Sequence, residues 1–341
     1  MRKRILYTVG IVALLVLVIG VFLPAKAHVE REVVIDAPAA TVFALVSDTR
    51  RIQEWSPWTA SEPNVAPAFS GPRRGVGATI HWADAAGASR GRPVAQTTVE
   101  SVPFERVLSE LQTSGGETFR SALVLQPVER GTRVLWSFDA DLGIDLVARY
   151  LRPMLTGRVA DDLEKGLADL ESMAENLPRA DFGDLQIEHM IIEPVRIAYL
   201  RTTSRPSAAA ISEAMGDAYF NVLNFMSRNG LQEAGAPLSV SRDFSGSELV
   251  FDAAIPVRGV ADSAPLSGNG VKLGETYGGP VIRATHLGSY ADLGKTHEQI
   301  AAYLAAYGIE RTGDAWESYE SDPAQTAEAD LLTYVYYPVS E

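Results

Sequence analysis

The stretch AWESYESDP, residues 315–323, sets a carboxylate among aromatic side chains: Trp316, Glu317 and Tyr319. A carboxylate beside aromatic faces is a receptor for a cation, because the charge attracts and the rings add cation–π and dispersion contributions. The same group serves as a general base if desolvation raises its pKa. In a chain with 43 acidic residues, an exposed strand carboxylate is the plain alternative.

Other chemistry is sparse. There are no cysteines, which excludes disulfides, thiolate metal sites and cysteine nucleophiles. The five histidines (28, 81, 189, 286 and 297) show no H-x-H or H-x-x-x-H spacing, so no metal is expected. His286 and His297 could lie near a groove in the second half of the chain, but a surface or internally satisfied histidine is the plainer reading of each. The chain has no P-loop and no G-x-S-x-G, and SGNGVKLGETYGG (267–279) reads as a flexible connection, so no cofactor is expected. With 30 basic against 43 acidic residues, a net charge of −13, nucleic-acid binding is not expected either.

The elements that would position these residues begin with MRKR followed by Ile5–Leu23, a run of 19 residues without a charge. As a helix it nearly spans a hydrocarbon core ~30 Å thick. Arg2, Lys3 and Arg4 precede it, so the positive-inside rule leaves the amino terminus in the cytoplasm and the rest outside. The partner expected for residues 5–23 is therefore the lipid bilayer of the inner membrane. A signal peptide cleaved after Ala27 is the alternative, since Ala25-Lys26-Ala27 has the A-x-A form. Signal-peptide apolar regions run only ~7–15 residues, and that length favours an uncleaved anchor over residues 1–27.

Residues 28–176 read as one unit. Val29, Arg31, Val33 and Ile35 alternate with Glu30, Glu32 and Val34; Asp36 and Pro38 suit a helix start; Val42, Phe43 and Val46 form an apolar face. Strand-like runs follow at 77–82, 94–102, 106–113, 119–128 and 132–142, separated by turns, and a helical pattern from Ile144 to Asn176 closes the unit. This order, with IDAPAATVFALVSDTRRIQEWSPW at its head, resembles the SRPBCC superfamily of START-like domains and polyketide cyclases. The resemblance implies a helix-grip fold: a curved antiparallel sheet around a long carboxy-terminal helix, with hydrophobic ligands held between them. Trp55, Trp58, Trp82, Trp136, Phe119 and Phe138 are candidates to line that cavity, with plain core packing the alternative for each.

After a linker over 177–184, residues 185–341 contain a repeat. LVFDAAIPV (249–257) lies over LLTYVYYPV (331–339) at an offset of 82, and NFMSRNGLQEAGAPLSV (224–240) over AYLAAYGIERTGDAWES (302–318) at an offset of 78. Each copy reads as an amphipathic helix, a turn at Gly230 or Gly308, a strand, a connection and a last strand. Trp316 falls over Leu238, Glu317 over Ser239 and Tyr319 over Ser241, so the acid and both aromatics belong to one copy alone. Tyr277, Tyr290, Tyr334 and Tyr336 are further groove or strand-face aromatics, Tyr337 facing the other way from the last two.

The repeat, with HLGSY (286–290) and WESYESDP, resembles the GyrI-like effector-binding domain. That resemblance implies a duplicated α+β module whose groove takes cationic, aromatic compounds, with Glu317 at its floor. It lacks the helix-turn-helix head of the regulators, so DNA binding does not carry over. The expected whole is an α+β chain of two domains plus one amino-terminal transmembrane helix, binding small hydrophobic or aromatic molecules. Its alternatives are a hydrolase of small toxic compounds in the second groove and a protein-interaction scaffold.

Overall fold

The computed structural model describes residues 2–59, 67–82, 93–244, 246–259 and 270–340. The chain forms two compact units, one of Met1–Gly183 with Ala306–Gly308, the other of Asp184–Ala305 with Ile309–Glu341. Helix α1, Arg2–Phe22, opens the first. Among the described residues no helix is long and apolar enough to cross a membrane, and the side chains of residues 1–6, 9, 12, 13 and 16 lie outside that description. The transmembrane helix expected over 5–23 therefore gains a helical backbone but no further support.

In the first unit, strand β1 (Lys26–Ile35) leads into α2 (Ala39–Ser47) and α3 (Thr49–Trp55). Six strands follow: β2 (Ala68–Ser70), β3 (Thr79–His81), β4 (Pro93–Val102), β5 (Arg106–Thr113), β6 (Thr118–Pro127) and β7 (Thr132–Asp141). They form one antiparallel sheet in the order β1-β7-β6-β5-β4-β3-β2, and α4 (Leu146–Glu175) lies across it. Alternation in β7 turns Val134, Trp136 and Phe138 inward, where they share a core with Leu163, Leu167 and Leu170 of α4. One local expectation is corrected. Pro38 itself takes the cap position of α2, while Asp36 pairs with Arg179 at 2.8 Å.

Gly166 is the point of closest approach between helix and sheet. A Cβ there would stand 2.5 Å from Trp136 Cζ3 and 2.8 Å from Pro57 Cδ. Gly166→Ala gains about 1 kcal/mol in helix propensity. Overpacking costs about 1–3 kcal/mol, so thermal unfolding of the variant is expected at lower temperature than the parent.

The second unit contains β8 (Ile187–Ile192), β9 (Arg196–Ser204), α5 (Ala208–Arg228), β10 (Gln232–Glu233), β11 (Leu238–Phe244) and β12 (Leu249–Arg258). Then come β13 (Lys272–Glu275), β14 (Gly279–Leu287), α6 (Leu293–Tyr307), β15 (Trp316–Tyr319) and β16 (Leu332–Pro338). The sheet runs β13-β9-β12-β11-β15-β16-β14-β8, with β10 added to β12. That order is a palindrome of the duplication: β11 answers β15, β12 answers β16, and β9 answers β14. Both helices end on a glycine with positive φ, Gly230 at 67° and Gly308 at 59°, where a side chain would be strained. The connection expected over 267–279 is corrected in part. Residues 267–269 lie outside the described residues, whereas Lys272–Glu275 form an edge strand on β9. Each copy thus starts two strands earlier than the repeat suggested, and the first of them pairs with the other copy: β8 with β14, β13 with β9.

On this sheet Asp252 is fully buried and accepts from Arg201 at 2.7 and 3.0 Å and from Arg242 at 2.6 Å. Burial alone raises its carboxyl pKa, but the two guanidiniums hold it below the usual range. A depressed folded-state pKa means this stabilisation is present above the unfolded value near 4 and is lost as pH falls through the folded one. Asp252→Asn is expected to cost about 2 kcal/mol near neutral pH, as hydrogen bonds to a charged group contribute about 1.5–3 kcal/mol. The difference between parent and variant in urea unfolding should shrink as pH falls below 4.

Candidate functional site

The two copies meet at β11 and β15, whose register is Leu238↔Ser318, Ser239↔Glu317 and Val240↔Trp316. The repeat equates 238 with 316, 239 with 317 and 240 with 318. A twofold that exchanges the copies therefore passes through the Ser239–Glu317 pair and maps the other two pairs onto each other. Glu317 sits on that axis, the one place where each half of a duplicated groove presents the same strand position.

Alternation along β15 decides what accompanies it. Glu317 and Tyr319 point to one face, and Trp316 and Ser318 to the other. The Glu317 face is the one covered by α5 and α6. There His297 of α6 places Nε2 2.8 Å from Glu317 Oε1, and its Nδ1 lies 2.8 Å from the Tyr337 hydroxyl. Tyr319 donates its hydroxyl to Glu317 Oε2. The Tyr290 ring stands edge-on to Tyr319 at 5.3 Å, and Tyr219 of α5 donates to the Leu238 carbonyl at 2.9 Å. Thr333, directly opposite Tyr319, is fully buried and its hydroxyl has no partner among the described residues.

The side chains of Glu317 and His297 are 17% and 26% exposed, so the pair is sheltered yet reachable. Burial, and then the negative charge of Glu317, pushes the Tyr319 phenol well above its ordinary pKa. The same two causes raise Tyr219. Burial raises Tyr337 too, with Arg311 opposing and Glu317 adding to the shift. These phenols stay protonated and act as donors. A carboxylate only accepts, so His297 Nε2 carries the hydrogen toward Glu317, and in the neutral ring Nδ1 accepts from Tyr337. The result is a one-way chain, Tyr337 to His297 to Glu317, with Tyr319 closing the second carboxylate oxygen.

The other expected residues fall elsewhere. Trp316 stacks on Tyr336 across the opposite face, with centroids 4.8 Å apart and planes 5° from parallel. Tyr334 and Tyr336 share that face, where Arg283 lies 4.3 Å over the Tyr334 ring and Tyr277 stands 6.3 Å from Trp316. A single pocket holding Glu317 with Trp316 is thus replaced by Glu317 with Tyr319 and Tyr290 on the helix face. In the first unit Trp136 is edge-on to both Trp55 and Trp58 at 5.4 Å, and Trp82 lies 6.3 Å from Trp58. Phe119 packs 5.2 Å from Phe138. Trp55, Trp58 and Trp136 are buried against α4, with Trp136 Nε1 donating to Ser121 Oγ at 2.8 Å and Trp55 Nε1 to the Leu45 carbonyl at 3.0 Å.

Tyr219 and Tyr337 are site residues that the sequence alone left unassigned, and His297 is one for which it preferred a surface or internally satisfied role. A signal for them existed, since the offset of 78 that aligns the helices lays His297 over Tyr219. Both flank the axis, and both carry a polar group on the sheet-facing side of their helices.

Residues 26–175 match the polyketide cyclase / dehydrase and lipid transport family, and residues 186–340 match the GyrI-like small molecule binding domain. No curated protein matches the chain. Among solved structures, the chain is similar to the EcmrR C-terminal domain, with 15% identity over 46% of this chain and 98% of that one, at a TM-score of 0.39. A hydrolase from Listeria innocua aligns at 15% identity over 46% of this chain and 92% of that one, TM-score 0.33. For the Aha1 dimer from Colwellia psychrerythraea the figures are 17%, 44% and 97%, TM-score 0.32. The two family matches rest on separate halves of the sequence, and together they make this chain a polyketide cyclase/dehydrase-type (SRPBCC) domain followed by a GyrI-like domain.

Proposed function

We propose that this protein binds small, hydrophobic, aromatic cations in the groove of its GyrI-like domain, as a membrane-tethered sensor or sequestering protein outside the cytoplasm. The observation that carries this reading is Glu317: a sheltered carboxylate on the axis between two modules, ringed by neutral phenols. A cation entering there gains from the charge and from the rings of Tyr319 and Tyr290. Both domain families bind small molecules, which supports a ligand-binding role for the chain as a whole.

The tether rests on α1. Its helical backbone covers Arg2–Phe22, its sequence is apolar from Ile5 onward, and its described side chains include Tyr7 at 74% and Phe22 at 83% exposure. Large apolar groups left so open in water call for a covering environment. Lys26 and Ala27 already pair with Asp141 and Ala140 in β1, which favours retention over cleavage after Ala27.

The test is calorimetric titration of the purified protein with tetraphenylphosphonium and with neutral triphenylphosphine oxide. Saturable binding of the cation, with the neutral compound weaker, supports the reading; equal affinity for both would remove the role given to Glu317. The His297–Glu317 pair favours a second reading, a hydrolase acting on small toxic compounds, because an imidazole bonded to a carboxylate is equipped for proton transfer. Product formation that disappears in Glu317→Gln would decide for it.

A further inference from the structure

The first half of α4 does not behave like the rest of the helix. Every buried residue of α4 lies at Ala160 or beyond. Residues 146–159 overhang the core by about 20 Å, at 1.5 Å per residue. On that overhang Val147, Tyr150, Leu151 and Met154 recur at helical spacing, forming a stripe that is 67%, 39%, 44% and 50% exposed, and Ile144 just before it is 93% exposed. An apolar stripe on a helix ordinarily faces a core. Among the described residues this one faces none.

Charge and position identify what covers it. Between Asp145 and Asp161 the sequence LVARYLRPMLTGRVA carries Arg149, Arg152 and Arg158 and no acid, in a chain whose net charge is −13. Apolar residues interleaved with arginines are the composition of a helix lying in a membrane interface. The stripe also adjoins the end of α1. Arg149 donates to the carbonyls of Val21 at 3.0 Å and Leu23 at 3.3 Å, and a side chain at Gly20 would press on Tyr150 and Leu146. Only residues 23–25 separate α1 from β1, and Leu142 N–H donates to the Ala25 carbonyl at 2.7 Å. The overhang is thereby held within a few residues of the point where the tether would leave the bilayer.

We infer that residues 144–158 form a membrane-docking surface, their apolar stripe seated in the headgroup–acyl boundary of an anionic bilayer and Arg152 and Arg158 paired with lipid phosphates. The surface rests on the tethering reading for its orientation, but the stripe itself is a separate observation. It commits the first domain to lie flat against the lipid that anchors it.

The absence of native cysteines gives a direct test in the full chain. Val147→Cys, Leu151→Cys and Met154→Cys, with Val99→Cys on β4 as the outward-facing control, are labelled with NBD. Each is then reconstituted in phosphatidylglycerol/phosphatidylcholine vesicles containing shallow doxyl lipids. The expected result is blue-shifted emission and several-fold stronger doxyl quenching at 147, 151 and 154 than at 99. Quenching no greater than at 99 overturns the inference. A blue shift without doxyl quenching also overturns it, and assigns the stripe to a protein partner or a second copy. An alkaline carbonate wash of the same vesicles reads the tether separately. Release of the protein defeats the anchor; retention without quenching at the stripe leaves the anchor standing and defeats the docking surface.

Discussion

Glu317→Gln is expected to weaken tetraphenylphosphonium binding by about thirty-fold, the equivalent of about 2 kcal/mol. The substitution keeps the size of the side chain and one of its two acceptor oxygens, turns the other into an NH2 donor facing His297 or Tyr319, and removes the formal negative charge on the axis. A charge-assisted contact in a sheltered site is worth roughly twice its neutral counterpart, which sets the scale of the loss. Binding of triphenylphosphine oxide should change little, since it gains nothing from the carboxylate. The comparison matters because Glu317→Gln leaves the phenols in place. A uniform loss for both compounds would point to collapse of the groove, and retained cation affinity would transfer the site elsewhere. The Tyr336–Trp316 stack on the opposite sheet face, 4.8 Å between centroids, is the natural place to look next.

Trp136→Ala is expected to destabilise the first domain by about 3–5 kcal/mol, the range for deleting a large buried aromatic. Trp136 is 1% exposed, carries two edge-on tryptophan neighbours, underlies Gly166 of α4, and satisfies Ser121 through its indole N–H. Its removal opens a void at the junction of sheet and helix and leaves a buried hydroxyl without its donor. Differential scanning calorimetry should show the transition of the first domain moving down while that of the GyrI-like domain stays. The size of the shift is informative about the cavity expected between sheet and helix. A tryptophan already bordering open space loses fewer contacts on truncation than one in a close-packed core. A loss below about 1 kcal/mol would therefore place Trp136 on a cavity wall.

Local order was legible because it is written in short-range periodicity. The strand over 106–113 and the long helix closing the first domain follow from alternation and helical spacing, which need no knowledge of partners. The duplication was legible for a similar reason: two matched segments at offsets of 78 and 82 announce paired modules, and the palindromic sheet is their consequence. Glu317 stood out by the same comparison, as the acid that one copy has where the other has Ser239.

The exchange of edge strands was not legible. β13 is short, and its partner β9 precedes it by some seventy residues, so no local pattern marks it as a strand. Nor did apolar periodicity distinguish the two halves of α4. Both are apolar every third or fourth residue, and only the length of the sheet beneath decides which half has something to cover.

The site itself divides along the same line. The sequence by itself placed Trp316, Glu317 and Tyr319 on one strand, but reading all three into one pocket overlooked that adjacent residues of a strand point to opposite faces. It also determined that Glu317 is unmatched in the first copy. Which face the helices cover, and therefore that His297, twenty positions away, closes on Glu317 at 2.8 Å, was decided only by the packing of α6 against β15 and β16. A hydrogen bond between distant residues has no signature in either residue's neighbours. It exists because burying two amphipathic helices on one side of the sheet leaves their few polar positions nowhere to turn except toward each other and the axis.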